Sequence, residues 1–221
     1  MMRRRTRLDR AIAARRHVTV GIVSDTHAFL DPRVADLIRG CDLAVHAGDV
    51  CSAGVLDALR PKTRITFAVA GNNDSAGRLP AGQAYLARRL PREVHLRLPG
   101  GTLAVEHGEL HGFDRPCHTS LRRLHREARA VVYGHTHRAV LDQSETPWVI
   151  NPGAAGKVRT HGGPSCALLV ATRRGWWVRL IRFRATERGK RRRDRTDFTP
   201  PRRCWYQAPP GFWSLTARPG V

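Results

Sequence analysis

The chain has 221 residues, of which 41% are hydrophobic, which is enough for one domain with a substantial core and too little for two. Nowhere does an apolar run approach the roughly 20 residues that cross a bilayer, so we expect no membrane span. The five cysteines are scattered and form no CxxC pair, which argues against a disulfide framework and a cysteine-ligated zinc site. The apolar stretch Ala11–Ala14 is too short for a secretory signal, and we expect a reducing, cytoplasmic location.

The formal net charge of +21 is concentrated at the two ends of the chain. Residues 1–17 carry +6 and residues 171–203 carry +10, whereas residues 18–170 carry only +4. We therefore expect a basic N-terminal extension at 1–17, a globular domain at 18–185 and a basic, flexible C-terminal tail at 186–221. Basic ends favour nucleic acid and other anionic surfaces, although a simple solvated tail explains the same charge.

The first half of the chain alternates strands and helices. Residues 18–23 (VTVGIV) form a continuous apolar run that is typical of a buried strand. The pair Asp31-Pro32 predicts a helix start with the aspartate as cap. Strands at 42–46 and 65–70, with a helix at 53–60 between them, complete the order expected of a parallel α/β sheet.

The second half is richer in strands. Residues 94–98 and 102–106 flank a Pro-Gly-Gly turn and predict a hairpin. A helix is expected at 118–128, where Leu121, Leu124 and Ala128 recur at helical spacing. Four further strands are expected at 130–133, 148–150, 166–171 and 176–183.

Five short polar motifs each follow directly after a predicted strand, which is where α/β folds build their sites. The motifs are Asp25-x-His27, Gly48-Asp49, Gly71-Asn72, His107-Gly108 and Gly134-His135-x-His137. Aspartate and histidine two residues apart in extended backbone project to the same side, so each pair can face one site. Glycine permits the tight backbone that turns a side chain inward at a strand end.

Together the motifs supply two carboxylates, one amide oxygen and four imidazoles. This mixture suits Mn, Fe, Zn or Co better than Ca or Mg. Seven ligands are too many for one catalytic ion with an open position, but they suit two ions about 3.5–4 Å apart that share a carboxylate. A lone HxH or DxH is usually a structural accident, whereas five motifs at five strand ends are hard to obtain by chance. His46 lies inside a predicted strand and is expected in the core.

These residues resemble the calcineurin-like metallophosphoesterases, in particular their small single-domain phosphodiesterase branch in bacteria and archaea. The order DTH, GD, GNND, HG and GHTH is similar to that branch, and the segment Ile150–Gly153 resembles its INPGS sequence. The resemblance covers about residues 18–183. It implies an α/β fold in which a two-sheet β-sandwich is flanked by helices, an α-β-β-α arrangement.

The resemblance also implies two divalent metal ions, manganese first, with Fe, Zn, Ni or Co as alternatives. One metal would be held by Asp25, His27 and His137. The other would be held by Asn72, His107 and His135, with Asp49 as the bridge. A water between the metals would then attack phosphorus as hydroxide. The residues expected nearest the reaction are Asp49, Asn73 and His135.

The chain departs from the wider superfamily at Asn73, where many members carry histidine in a GNH motif. Asparagine donates a hydrogen bond but cannot act as a general acid. We therefore expect a phosphodiesterase, or an enzyme for esters with good leaving groups. Asp74 is expected to fix the loop, and His111, four residues after His107, is a candidate to line the site.

Three alternatives stay open beside a phosphodiesterase. The first is a phosphomonoesterase, and the second is a nuclease or RNA phosphodiesterase whose basic ends and aromatic residues, such as Trp177 and Trp205, hold the strand. The third is a non-catalytic scaffold, because one subunit of the eukaryotic retromer resembles this fold and is regarded mainly as an interaction surface. A scaffold is expected to lose metal ligands, and all seven are present here.

Overall fold

The structure is a computed structural model that describes residues 2–112 and 116–185. The expected flexible tail at 186–221 lies outside the described residues. Residues 113–115, just after the fourth motif, also lie outside them. No helix in the described part of the chain is long and apolar enough to cross a bilayer.

The described residues contain ten strands, and these form two mixed five-stranded sheets. The strands are β1 His17–Val23, β2 Leu43–His46, β3 Thr66–Ala68, β4 Glu93–Leu98, β5 Gly101–Glu106, β6 Ala130–Val132, β7 Val140–Asp142, β8 Trp148–Asn151, β9 Ser165–Thr172 and β10 Trp176–Arg182. Their order is β10-β9-β1-β2-β3 in one sheet and β4-β5-β6-β8-β7 in the other. The two-sheet fold expected from the sequence is confirmed.

The first sheet is built around β1, which pairs in parallel with β2 and antiparallel with β9. Because β2 also pairs in parallel with β3, the carboxyl ends of three consecutive strands lie at one edge of the sheet. The motifs that follow β1, β2 and β3 are therefore brought to the same edge. The antiparallel strands β9 and β10 extend the sheet on its other side and make it mixed rather than purely parallel.

The second sheet begins with the predicted hairpin, in which β4 and β5 pair antiparallel. Strands β5, β6 and β8 then run parallel, so that the motifs after β5 and β6 also share an edge. Strand β7, which the sequence analysis did not predict, closes the sheet antiparallel to β8. A short run of three residues with little apolar periodicity gives no sequence signal for a strand.

The main hydrophobic core draws on both sheets, because Ile22 and Leu43 of the first belong to one buried cluster with Leu103 and Ile150 of the second. Each of these four residues is at most 1% exposed to solvent. Trp176, which the sequence placed in a strand, is also buried in this cluster and donates its indole N–H to the Pro99 carbonyl at 2.7 Å. The sheets are thus held face to face by apolar side chains.

Five α-helices and one 3-10 turn accompany the sheets in the described residues. They are α1 Met2–Ala13, α2 Pro32–Arg39, α3 Ala53–Ala58, α4 Tyr85–Arg89, the 3-10 turn Glu109–His111 and α5 His118–Leu124. The predicted start of α2 is confirmed, since the Asp31 side chain accepts a hydrogen bond from the Arg33 amide. Helix α5 ends four residues earlier than expected, and Leu124 is 59% exposed rather than part of an apolar face.

Helix α1 lies in the segment that the sequence analysis treated as a plain basic extension. Ile12 of this helix is buried in the main core, with Leu8 packed beside it. The helix packs against β4 of the second sheet. Residues 2–13 therefore add a helical layer to the sandwich, although they lie before the globular domain expected at 18–185.

Candidate metal centre

Asp25 and His27 lie in the loop after β1, and both have positive φ, 51° and 45°. The left-handed backbone is unusual for residues with a Cβ and is found where the surroundings hold a functional conformation in place. Asp25 is fully buried, and its carboxylate accepts hydrogen bonds from the Ser24 hydroxyl at 2.6 Å and from the His135 amide at 3.1 Å. The first motif is thereby tied to the fifth.

Asp49 follows β2 and also has a positive φ, 57°. Its two carboxylate oxygens accept hydrogen bonds from Asn73, Oδ1 from the backbone amide at 2.8 Å and Oδ2 from the side-chain amide at 2.6 Å. The Asp49 carbonyl accepts the His27 amide at 3.0 Å. The loops after β1, β2 and β3 therefore hold each other through Asp49.

Asn72, His107 and His135 form one half of the site. The Asn72 side-chain oxygen lies 3.2 Å from His107 Nε2 and 3.0 Å from His135 Nδ1. The His107 ring donates Nδ1–H to the Ala47 carbonyl at 2.8 Å, which fixes its tautomer and leaves Nε2 with the lone pair of the neutral ring. An amide oxygen and two imidazole nitrogens therefore converge on one point.

His27 and His137 form the other half with Asp25. Their Nε2 atoms lie 3.1 Å apart, and His137 Nε2 lies 3.4 Å from Asp25 Oδ1. His137 donates Nδ1–H to the Val158 carbonyl at 2.8 Å, so its Nε2 carries a lone pair. The Arg159 guanidinium donates to that nitrogen at 2.9 Å, which places a cation beside the ligand atoms.

The Asp49 carboxylate lies between the two halves, with one oxygen toward each. Oδ2 is 3.7 Å from His27 Nε2, and Oδ1 is 3.5 Å from His107 Nε2. Within the site, ligand atoms of Asp25, His27 and His137 all lie within 4.8 Å of one another, as do those of Asp25, Asp49 and His107. All seven residues singled out from the sequence are thus brought together.

Burial sets the protonation of the site. It raises the pKa of Asp25 to about 7 and lowers the pKa of His137 to about 4. Burial also acts on His107 and Asp49, but their mutual attraction outweighs it, so the pKa of His107 rises to about 9 and that of Asp49 falls well below its usual range. For Asp25 the effect of burial exceeds the opposing attraction of His107, so its carboxylate charge is only partly compensated.

These residues fit divalent cations. Oxygen and imidazole donors converge in two places, and the ring tautomers of His107 and His137 direct Nε2 into the site. The buried, poorly compensated carboxylate of Asp25 is the type of group that a cation stabilises. The Arg159 guanidinium donates to His137 Nε2 at 2.9 Å, the atom that a cation would bind.

The remaining sequence expectations have different outcomes. Asp74 holds the loop as expected, because its carboxylate accepts the backbone amides of Gly71 and Cys51 at 2.8 and 2.7 Å. His46 is fully buried as expected, with a pKa lowered to about 3 by that burial. His111 is not beside the seven ligands, and its ring instead contacts Glu106 and Ser120.

Two arginines at the rim of the site were missed in the sequence. Arg159 contacts His137, and Arg78 donates to the Asn73 side-chain oxygen at 2.5 Å. Both side chains are largely exposed. The chain has so many arginines that composition gives no signal for these two, since only the fold brings them to the site.

The comparisons with known proteins agree with this geometry. The model of the calcineurin-like phosphoesterase superfamily domain matches residues 18–174. A probable metallophosphoesterase of Methanocaldococcus jannaschii is 31% identical over 142 residues, which is 61% of this chain and 67% of that protein.

Two solved structures share the fold. Vacuolar Protein Sorting 29 from Cryptosporidium parvum has a TM-score of 0.60 at 20% identity, covering 77% of this chain and all of that one. A novel archaeal phosphodiesterase has a TM-score of 0.53 at 21% identity, covering 74% and 99% of the two chains. On the match of its sequence to the domain model, the chain belongs to the calcineurin-like phosphoesterase superfamily.

Proposed function

We propose that this protein is a two-metal phosphodiesterase. The observation that carries the proposal is the Asp49 carboxylate, which directs Oδ2 toward His27 and Oδ1 toward His107 at 3.7 and 3.5 Å. A carboxylate shared in this way suits two cations a few ångströms apart. The archaeal phosphodiesterase of the same fold is consistent with this choice.

The proposed ligands divide as the geometry groups them. One cation would be held by Asp25, His27 and His137. The second would be held by Asn72, His107 and His135, and Asp49 would be shared. When bound, the two cations would lower the pKa of a water, so that hydroxide is available to attack phosphorus. They would also offset the charge that grows on the phosphoryl oxygens. We expect manganese first, with Fe, Zn, Ni or Co as alternatives.

The chain's own groups then position the ester. We place Asp49, Asn73 and His135 nearest the reaction. The exposed guanidinium groups of Arg78 and Arg159 stand at the rim, where they can donate to the non-bridging oxygens of a phosphate. Asn73 supplies no acidic proton, so the preferred leaving group is one that departs without protonation, as in an activated diester.

The test is hydrolysis of bis-p-nitrophenyl phosphate and p-nitrophenyl phosphate by the full chain after metal removal. Mn, Ni, Zn and Mg are added back one at a time. We expect metal-dependent cleavage of the diester, and a fall of at least about 100-fold in the Asp49→Asn variant. Asp57→Asn is the matched control, because Asp57 is an exposed helix residue and the chemical change is the same.

Equal loss in both variants, or diester cleavage that survives in Asp49→Asn, would overturn the proposal. Cleavage of the monoester alone would favour the phosphomonoesterase alternative. If a folded protein shows no turnover with any metal, the scaffold alternative is favoured. The similarity of the fold to Vacuolar Protein Sorting 29 is the reason for testing this alternative. The nuclease alternative stays a prediction, since its basic segment 186–221 lies outside the described residues.

A further inference from the structure

A second cluster of histidine and glutamate lies away from the seven ligands, on the outer face of the second sheet. Glu93 and His95 of β4 and His125, just after α5, each offer a ligand atom within 4.8 Å of the other two. The alternating burial of β4 places Glu93 and His95 on the same exposed face, while Val94 between them is buried. None of the three belongs to the five sequence motifs.

His125 is held in place by a buried carboxylate. Its Nε2 donates to Glu106 Oε2 at 2.7 Å, and the residue is only 3% exposed. The other oxygen of Glu106 lies 2.9 Å from His111 Nε2, and His111 Nδ1 contacts the Ser120 hydroxyl at 2.7 Å. Donation from Nε2 leaves the lone pair of the neutral His125 ring on Nδ1, which is how a supporting carboxylate prepares a histidine to bind a metal.

The two histidines of the cluster lie beside a cavity of about 590 Å³. His95, His111 and His125 line it together with Ser120 and Arg123. The rings of His95 and His125 meet edge to face with centroids 5.4 Å apart, so the two imidazoles are direct neighbours. Two histidines and one glutamate with an open fourth position are a known ligand set of zinc.

We propose that Glu93, His95 and His125 form a mononuclear zinc site, separate from the two-metal centre, with Glu106 as the carboxylate that orients His125. The positive charges nearby do not forbid a cation. Arg126, which lines the cavity, pairs with Glu127 at 3.4 Å, and Glu93 and Glu106 bring two carboxylates to the histidines. His95 and His125 line the cavity, so that a fourth ligand can enter from it.

The test is the zinc stoichiometry of the full chain after metal removal, measured by titration calorimetry with ZnCl₂ and by elemental analysis of the desalted protein. We expect His95→Gln to bind one zinc fewer than the wild type. His95 is exposed, so this variant is expected to fold. His17→Gln replaces another exposed histidine, remote from all three ligands in sequence, and is expected to keep the full stoichiometry.

The second arm repeats the measurement in Asp49→Asn, whose two-metal centre is impaired. There too His95→Gln is expected to remove one zinc, so the result does not depend on the proposed phosphodiesterase activity. Equal stoichiometry with and without His95, in either background, would overturn the proposal. Loss of one zinc in His17→Gln as well would also overturn it, because the binding would then be a property of any surface histidine.

Discussion

Both polar side-chain atoms of Asn73 form hydrogen bonds. Its side-chain and backbone amides both donate to Asp49, at 2.6 and 2.8 Å, and its side-chain oxygen accepts from Arg78. The residue therefore fixes the carboxylate between the two halves of the site and links it to a rim arginine. A histidine at this position would offer a titratable proton that asparagine lacks.

Asn73→His is expected to raise hydrolysis of p-nitrophenyl phosphate relative to the bis-ester by at least about tenfold, because a general acid is worth about 10²–10⁴ in rate. The increase should be larger for an alkyl monoester such as glycerol phosphate, whose leaving group needs a proton more. The measurement is the ratio of kcat/KM values for the three substrates.

Asn73→Ala is the control for that change, since it removes the side-chain hydrogen bond to Asp49 without adding an acid. We expect it to slow all three substrates and to leave their ratio near the wild-type value. If the histidine variant shows the same ratio as the alanine variant, Asn73 does not set the preference for diesters.

At the scale of elements, the strand-end motifs were predictable because buried strands are continuous apolar runs and each ends abruptly in polar residues. The conformation at those ends was not predictable. Asp25, His27, Asp49, His135 and His137 all adopt positive φ, which depends on neighbouring loops rather than on local propensity. The sequence thus identifies the ligands but not how the backbone turns them inward.

Helix α1 and the second histidine cluster escaped sequence analysis for related reasons. Five of the twelve residues of helix α1 are arginine, and Ile12 anchors the helix only because a sheet lies beneath it. His95, His111 and His125 lie 14 to 30 residues apart, on three different elements. Contacts of that kind arise from the fold and leave no local pattern.

Gly71 shows how closely an element must approach the site. A Cβ at this position would overlap the side-chain oxygen and backbone nitrogen of Asp49. Gly71→Ala is therefore expected to displace Asp49, to lower stability by about 1–3 kcal/mol, and to weaken metal binding and diester hydrolysis together. Thermal unfolding and metal titration measure the two effects.

Gly77→Ala is the matched control, because a Cβ at Gly77 meets nothing within 4 Å although the residue lies in the same loop region. We expect wild-type stability and activity for it. Similar losses in both variants would mean that the loop responds to any lost glycine, and that close packing of Gly71 on Asp49 is not the cause.

At the scale of the whole molecule, the candidate centre joins the two sheets. Asp25, His27, Asp49 and Asn72 follow strands of the first sheet, whereas His107, His135 and His137 follow strands of the second. Without cations, the charged groups at this junction are balanced by one another, chiefly by the pair of His107 and Asp49 at 3.5 Å. Metal binding and sheet packing are therefore expected to be coupled.

The pKa of His107 makes this coupling measurable. Attraction to Asp49 and Asp25 outweighs burial and raises the pKa of His107 from 6.5 to about 9 in the folded protein. Between these pH values the folded state holds a proton that the unfolded state has lost, so stability falls as pH rises. Asp25, with a pKa raised to about 7, adds a change of the same sign at lower pH. The buried His46 and His137 have lowered pKa values, and their effect is confined to pH values near and below 6.5.

We therefore expect the melting temperature of the metal-free protein in EDTA to fall by at least about 5 °C between about pH 7.5 and 9.5, because His107 alone loses roughly 2 kcal/mol of its favourable interaction. With saturating Mn²⁺ the part of the fall that is due to His107 should vanish, because loss of the proton frees His107 Nε2 for the metal and strengthens binding. His107→Gln, measured in EDTA, should show a fall smaller by about 5 °C. Part of the fall remains, because burial raises the pKa of Cys41, Cys51 and Cys166, whose thiols ionise over this range only in the unfolded chain. A metal-free melting temperature that stays level or rises in the wild type would show that the two sheets are not held together through a charged His107.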